Sequence, residues 1–187
     1  DPNSCEQLVD FTLSSLGGLD GLLYTAGVSP LSPLGEAKPD LWNDVFNTNV
    51  VGAATIIRFA LKELVANCGK LILISSTMVG KPWPGLVPYS SSRAALVEFA
   101  NGLRVEFPKL RVTTATVGPT QTGFESNWEP NVLEEAINDW RRGGYLKDDS
   151  RSLDVGKVAS CLLSIIDSPV RIDKIDLVPD RQNIDRT

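Results

Sequence analysis

Three side chains near the middle of the chain are of types that can move a proton to or from a substrate oxygen. They are the hydroxyl of Ser76, the phenol of Tyr89 and the cation of Arg93, and acid–base catalysis uses such positioned groups. A tyrosine is a poor acid or base at neutral pH until a neighbouring positive charge favours its phenolate. Arg93 follows Tyr89 by four residues, so a helix would place both side chains on one face. The spacing therefore predicts a proton-transfer site.

The pattern of apolar side chains predicts the elements that position these residues. Short apolar, β-rich runs predict four strands at 19–24, 70–76, 111–117 and 174–178. Apolar residues spaced by three and four predict helices at about 5–16, 40–64, 89–107, 132–141 and 153–166. The first three strands show little polar alternation, as expected for parallel strands buried on both faces. Strands alternating with helices predict an α/β fold with an open parallel sheet.

In an open α/β sheet, ligands bind beyond the carboxyl ends of the strands. We therefore expect four segments to meet at one site, namely 25–27, 75–76, 89–93 and 118–120. Asn49 lies on the apolar face of the predicted 40–64 helix. It is either a buried polar residue satisfied by the backbone or a member of the same site.

Composition argues against several other functions. The chain has 187 residues, which suits one domain, and a net charge of −5, which makes nucleic acid and membrane surfaces poor partners. It contains no histidine, so the commonest general base and zinc ligand are missing and we expect no metal site. Without a histidine or a G-x-S-x-G elbow, a serine hydrolase is excluded. Three separated cysteines and the lack of a long apolar run favour a reduced, cytoplasmic location.

Residues 118–152 differ from the rest of the chain in their prolines, glycines and many charges. We interpret this segment as a substrate lid that carries Trp128, Trp140 and Tyr145 exposed on its surface. The alternative is an irregular loop and one helix that merely pack on the protein. The side chains of Phe124, Trp128 and Trp140 suggest a bulky apolar substrate. Three more apolar residues precede Tyr89 and either line a substrate pocket or serve a partner interface: Trp83, Leu86 and Val87.

Five motifs, in this order, resemble those of a known family. Tyr24-Thr25-Ala26-Gly27 stands where the family has N-N-A-G, and Asn49-Val50-Val51-Gly52 matches its N-V-x-G motif. Ser76 precedes Tyr89 by thirteen residues, and Tyr89 to Arg93 matches Y-x-x-x-K with arginine in place of lysine. The run Val117-Gly118-Pro119-Thr120-Gln121-Thr122 is similar to the family's proline-glycine turn with the pair reversed. The chain thus resembles a short-chain dehydrogenase/reductase whose first part is absent.

This resemblance implies a Rossmann-like, doubly wound parallel sheet, of which the chain would hold strands four to seven and a helical lid. Residues 1–187 would form a single domain that is incomplete at its N-terminus. Roughly 60 to 70 residues, including the glycine-rich phosphate loop, would be missing. The resemblance further implies hydride exchange between NAD or NADP and a carbonyl or alcohol substrate. It also implies a homodimer or homotetramer, paired through the helices around Asn49 and Tyr89.

The resemblance also implies a role for each site residue. Tyr89 would be the acid/base, Ser76 would hold the substrate oxygen, Arg93 would supply charge and ribose contacts, and Asn49 would order a relay water. The cofactor-binding residues would be Thr25, Ala26, Gly27, Tyr89, Arg93, Gly118, Pro119, Thr120 and Thr122. Arginine is bulkier than the lysine that it replaces and never gives up its proton. The alternative is therefore a catalytically decayed family member that acts as a binding or regulatory module.

Overall fold

Four parallel strands form one sheet at the centre of the protein. The computed structural model describes residues 1–146 and 151–179. Its strands are β1 (Gly21–Tyr24), β2 (Lys70–Ser76), β3 (Arg111–Val117) and β4 (Lys174–Leu177), side by side in the order β1-β2-β3-β4. Lys70 pairs with both Gly21 and Arg111, so the three strands start at one level. The predicted α/β fold with its parallel sheet is confirmed.

Six α-helices surround the sheet in the described part of the chain. They are α1 (Pro2–Leu16), α2 (Pro39–Phe46), α3 (Gly52–Ala66), α4 (Val87–Glu106), α5 (Pro130–Arg142) and α6 (Val155–Asp167). Proline occupies the first turn of four of them, where its missing N–H leaves no hydrogen bond unmade. Gly17 ends α1 with a positive φ of 77°, and its N–H donates to the Leu13 carbonyl. The predicted end of this helix is therefore confirmed.

Helices cover both faces of the sheet, because alternate residues of each strand point to opposite sides. On β2, Leu71 and Leu73 pack in a cluster with buried residues of α1, α3 and α4. Ile72, between them, packs with Leu162 and Ile165 of α6 on the other face. The first of these two apolar cores therefore fixes the sheet relative to α4, which carries Tyr89 and Arg93.

The predicted single helix at 40–64 is wrong in one respect, because a π-helical turn at Asn47–Val51 separates α2 from α3. The Tyr24 hydroxyl donates to the Thr48 carbonyl at 2.6 Å, which gives a partner to a backbone group in that turn. Gly52 lies directly over this hydroxyl, since a Cβ at Gly52 would be 2.8 Å from it. Such turns are frequent at functional sites, and this one contains Asn49.

Candidate functional site

A cavity of about 1220 Å³ opens at the carboxyl ends of the strands. This volume is somewhat larger than the roughly 300–1,000 Å³ of most small-molecule sites. Each of the four segments expected at the site contributes to its lining, which includes Thr25, Ser76, Tyr89, Arg93, Gly118, Pro119, Thr120 and Thr122. Asn49, Ala26 and Gly27 do not line it. The parallel register explains why these segments lie together, because Ser76 and Val117 are paired at the ends of β2 and β3.

Tyr89 and Arg93 lie together on the first two turns of α4. The guanidinium carbon of Arg93 is 5.1 Å from the centre of the Tyr89 ring, within the range of a cation–π contact. The Arg93 side chain is only 3% exposed, and its Nη1 donates to the Ile74 carbonyl at 3.0 Å. Its Nε is also buried and finds no hydrogen-bond partner among the residues that the structure describes. A fixed positive charge with a spare donor therefore stands beside the phenol.

Gly27 provides the space that the guanidinium occupies. A Cβ at this position would lie 2.1 Å from Nη2 of Arg93, a distance at which the guanidinium could not remain, and in tight contact with Oδ1 of Asn49 at 3.2 Å. Gly27 was predicted to contact a cofactor. Its observed contribution is to let the backbone pass behind Arg93.

Asn49 is fully buried, and its amide joins the 25–29 loop to α4. Its Oδ1 accepts from the Val28 N–H at 2.8 Å, while its Nδ2 donates to the Val28 carbonyl at 3.0 Å and to Ser92 Oγ at 2.9 Å. Ser92 Oγ in turn donates to the carbonyl of Tyr89 at 2.7 Å. Asn49 is thus satisfied largely by backbone groups and lies next to the site without lining the cavity, so its expected part in the site stays a prediction.

Sequence reasoning missed Tyr24 and Ser92 as parts of this arrangement. Tyr24 anchors the turn that holds Asn49, and burial raises the pKa of its phenol, although the positive charge of Arg93 opposes that effect. Ser92 is fully buried and connects Asn49 to the helix of Tyr89. The only available signal for Ser92 was its spacing of three residues from Tyr89. Nothing in the local pattern distinguished Tyr24 from a packing residue.

The remaining polar residues of the predicted site lie at the ends of β2 and β3. Ser76 is nearly buried, and its Oγ accepts from the N–H of Met78 at 3.2 Å, which leaves its own proton free to be donated. Thr120 donates to the Gly118 carbonyl at 3.0 Å, and Thr122 accepts from the N–H of Phe124 at 3.3 Å. These contacts give the two threonines fixed positions along the cavity.

The predicted lid, residues 118–152, crosses the cavity as a short 3₁₀ turn (Gly123–Glu125) followed by α5; positions 147–150 lie outside the described residues. Backbone hydrogen bonds join its two ends, from Leu153 to Pro119 at 2.7 Å and from Gln121 to Leu153 at 2.9 Å. The exposure predicted for Trp140 is wrong, since this residue is 4% exposed. It lies on the inner face of α5, and its Nε1 donates to the Pro84 carbonyl.

The other two aromatic residues predicted to be exposed differ from each other. Trp128 is half-buried, and its indole N–H donates to the carbonyl of Ser29. Tyr145 is 44% exposed, as predicted. The cavity-facing position of the two tryptophans arises from contacts with residues more than fifty positions earlier, which local sequence patterns do not reveal.

Within 1–146 and 151–179, no group of three or more histidine, cysteine, aspartate or glutamate side chains is arranged to hold a metal ion. No helix within the same ranges has the length and apolar character needed to cross a membrane.

Comparisons with known proteins agree with this geometry. The chain is 33% identical over 182 residues to 11-beta-hydroxysteroid dehydrogenase A of Arachis hypogaea, covering 95% of this chain and 51% of that protein. It is 29% identical over 172 residues to a hydroxynaphthalene reductase of Aspergillus fumigatus, covering 85% of this chain and 62% of that protein. The chain thus spans about half to three-fifths of the length of these relatives.

Solved structures show the same fold. A short chain dehydrogenase from Mycobacterium paratuberculosis, bound to NAD, superposes with a TM-score of 0.81 at 22% identity. The superposition covers 95% of this chain and 69% of that protein. An alcohol dehydrogenase from Thermococcus sibiricus, complexed with 5-hydroxy-NADP, also superposes with a TM-score of 0.81, at 17% identity. This superposition covers 99% of this chain and 73% of that protein. The family described as short chain dehydrogenase matches residues 1–132, more than half of the sequence. The chain therefore belongs to the short-chain dehydrogenase family.

Proposed function

We propose that the protein is an NAD(P)-dependent oxidoreductase that exchanges a hydride between a nicotinamide and a carbonyl or alcohol carbon. The observation that carries the proposal is the pairing of Tyr89 with the buried cation of Arg93 in a cavity that Ser76 also lines. Family membership supports it, as do relatives named as dehydrogenases and reductases. One similar structure carries NAD and another carries an NADP derivative.

The residues at the strand ends fit a nicotinamide nucleotide. The buried Nε of Arg93 lacks a partner among described residues, and a ribose hydroxyl is a suitable acceptor for such a donor. Thr25, Gly118, Pro119, Thr120 and Thr122 line the same cavity and would contact the cofactor from the neighbouring strands. When bound, the nicotinamide would supply or accept the hydride. Either NAD or NADP is compatible with these residues.

The protein's own residues would carry out the proton transfer. For reduction of a carbonyl, Ser76 would donate its hydroxyl proton in a hydrogen bond to the substrate oxygen, and Tyr89 would give its phenolic proton to that oxygen. Arg93 would stabilise the resulting phenolate by its charge, because a cation favours the ionised form of a nearby phenol. Asn49 would hold the loop behind Arg93. We retain its role in ordering a relay water as an expectation from the family.

Two features of the whole protein belong to the same proposal. The 118–152 segment would act as a lid that excludes water from the reacting atoms, since its tryptophans line the cavity. A homodimer or homotetramer, paired through the helices around Asn49 and Tyr89, is expected from the family. Solution scattering of the full-length protein tests the oligomeric state, and a monomeric profile would refute the homodimer or homotetramer.

Tyr89→Phe is the decisive variant for the proposed function. It removes the phenolic proton and keeps the ring, so we expect kcat for reduction of a ketone by NADH or NADPH to fall at least ~100-fold. Cofactor binding, followed by the fluorescence of the reduced nicotinamide, should be retained. Tyr145→Phe is the matched control, because Tyr145 is exposed and does not line the cavity. Turnover retained in Tyr89→Phe would refute the assignment of the acid/base.

Arg93 supports a second candidate, a catalytically decayed protein that acts as a binding or regulatory module. The hydrogen bond from Arg93 to the Ile74 carbonyl holds the guanidinium in the protein interior, and arginine cannot pass on a proton as lysine can. Arg93→Lys distinguishes the two candidates. A wild-type protein without turnover that gains it in Arg93→Lys would establish decay, whereas robust turnover by the wild type would exclude it.

A further inference from the structure

Four aromatic side chains form one wall of the cavity, which we call the aromatic wall: Trp83, Phe124, Trp128 and Trp140. Trp140 lies at its centre, with ring centres 5.0 Å from Trp83 and 6.0 Å from Trp128. The ring of Phe124 lies 5.7 Å from that of Tyr89. One ring of the aromatic wall, that of Phe124, therefore lies beside the residue proposed to transfer the proton.

Two indole N–H groups of the aromatic wall are hydrogen-bonded to the protein backbone and are therefore not available to a ligand. The N–H of Trp128 donates to the Ser29 carbonyl, and that of Trp140 donates to the Pro84 carbonyl. Both rings consequently offer apolar and π surface to the cavity. Leu133 and Ile137, one and two turns before Trp140 on α5, extend this apolar surface. A sugar or other polyol would find few hydrogen bonds here.

Charged side chains lie at the borders of the cavity. Arg93 lies at the Tyr89 end, while Glu125 and Arg151 line it from exposed positions. The cavity thus has one polar end, formed by Ser76, Tyr89 and Arg93, and an extended aromatic side. A ligand matching both would carry a single oxygen at one end of an otherwise apolar body.

The orientation of the rings favours an aromatic body over an aliphatic one. Neighbouring rings of the aromatic wall are steeply inclined, at 62° for Trp83 with Trp140 and 70° for Trp128 with Trp140. A planar ligand beside them meets ring faces and ring edges, the two arrangements in which aromatic pairs attract each other. We propose that the aromatic wall is a substrate subsite for a fused aromatic ring system whose carbonyl lies at Ser76 and Tyr89. This inference rests on the proposed function for the position of the carbonyl.

A matched pair of ketones tests the subsite in the full-length protein. 2-Tetralone and cyclohexanone both carry a ring ketone, and only 2-tetralone carries a fused benzene ring. We expect kcat/KM with the reduced cofactor to be at least ~10-fold higher for 2-tetralone. We also expect 2-tetralone to quench tryptophan fluorescence on binding, because three of the four tryptophans are in the aromatic wall.

Two variants and one control separate the aromatic wall from general effects. Trp128→Leu should weaken 2-tetralone binding roughly 5- to 10-fold, and it should lower kcat/KM for 2-tetralone at least about 5-fold more than kcat/KM for cyclohexanone. Phe124→Leu should act in the same direction; it lies in an exposed turn, so it keeps the protein folded and breaks no indole hydrogen bond. Trp42→Leu is the control, because Trp42 stacks on Phe46 in α2 and does not line the cavity.

The outcomes distinguish failure of the subsite from failure of the proposed function. Equal kcat/KM for both ketones, or Trp128→Leu and Phe124→Leu affecting both ketones equally, would overturn the subsite while leaving the oxidoreductase in place. Binding of 2-tetralone that depends on Trp128 and Phe124, without turnover of any ketone, would support the subsite and overturn the enzyme. Binding of 2-tetralone that neither variant weakens would overturn the subsite in either case.

Discussion

Replacing Gly27 by alanine tests whether the guanidinium of Arg93 is held where the structure places it. The added methyl group would lie 2.1 Å from Nη2 and 3.1 Å from Cζ of Arg93. Nη2 must therefore move by more than an ångström to restore ordinary contact. That movement would displace a buried side chain and strain the hydrogen bond from Nη1 to the Ile74 carbonyl.

The expected loss of stability follows from these contacts. Overpacking a well-packed interior costs about 1–3 kcal/mol. If Nη1 also leaves the Ile74 carbonyl, the loss of a hydrogen bond from a charged donor adds about 1.5–3 kcal/mol. We therefore expect Gly27→Ala to lower the free energy of unfolding by about 1–3 kcal/mol if that hydrogen bond survives, and by about 2.5–6 kcal/mol if it breaks. The ring contact between Arg93 and Tyr89 would be disturbed in the same variant, so proton transfer should suffer as well.

Urea unfolding followed by circular dichroism measures this loss, and a double-mutant cycle assigns it. Arg93→Met removes the guanidinium, so Gly27→Ala in that background should cost less than about 1 kcal/mol. The difference between the two backgrounds is the coupling energy between the methyl group and the guanidinium. Oδ1 of Asn49, at 3.2 Å from the added methyl group, accounts for the remaining cost.

A glycine in open space provides the matched control. Gly102 lies in α4, and a Cβ there meets nothing within 4 Å. Gly102→Ala should therefore stabilise the protein by up to about 1 kcal/mol, because alanine favours a helix more than glycine does. An equal loss from Gly27→Ala in the wild-type and Arg93→Met backgrounds would refute the placement of the guanidinium.

Three further predictions concern contacts around the site, all measured by urea unfolding. Tyr24→Phe should destabilise the protein by about 1–2 kcal/mol, because it removes the bond to the Thr48 carbonyl. Burial raises the pKa of Tyr24, so the folded protein keeps its phenolic proton to higher pH than the unfolded chain. The stability advantage over Tyr24→Phe should therefore be complete below about pH 10 and shrink as pH rises further; a constant advantage would contradict this. Gly52→Ala should cost about 1–3 kcal/mol through its clash with the Tyr24 hydroxyl, and less in the Tyr24→Phe background. Arg104→Met should cost about 2–3 kcal/mol, because it removes the hydrogen bonds that Arg104 donates from α4 to the Val112 carbonyl, Thr114 Oγ1 and the Asp173 carbonyl. An unchanged midpoint would show that these bonds contribute nothing.

Several parts of the site could be predicted because they depend on local geometry. The spacing of four residues between Tyr89 and Arg93 places both on one helix face, and the structure has them 5.1 Å apart as measured from ring centre to guanidinium carbon. The meeting of Ser76 with the 118–122 segment follows from the rule that parallel strands end at one edge of a sheet. Their roles in catalysis remain predictions that the variants above test.

Other parts depend on contacts between distant residues and had no local signal. The π-helical turn at Asn47–Val51 occurs within a continuous apolar pattern, and the bonds that accompany it come from Tyr24 and Val28. Trp140 reads as a surface residue in a charged segment, yet its indole reaches the Pro84 carbonyl. Neither the π-helical turn nor the position of Trp140 could be predicted without knowing how the chain folds back on itself.

Short-range periodicity and fixed spacing were enough to predict the α/β alternation, the parallel sheet, the order of the motifs and the family that they resemble. The backbone geometry of helices and strands converts such patterns directly into faces and edges. The folded structure was needed to establish that Gly27 makes room for Arg93, that Tyr24 anchors the turn of Asn49, and that the tryptophans line the cavity. Each of these depends on close packing between segments far apart in sequence, where a single atom's position decides whether a contact forms.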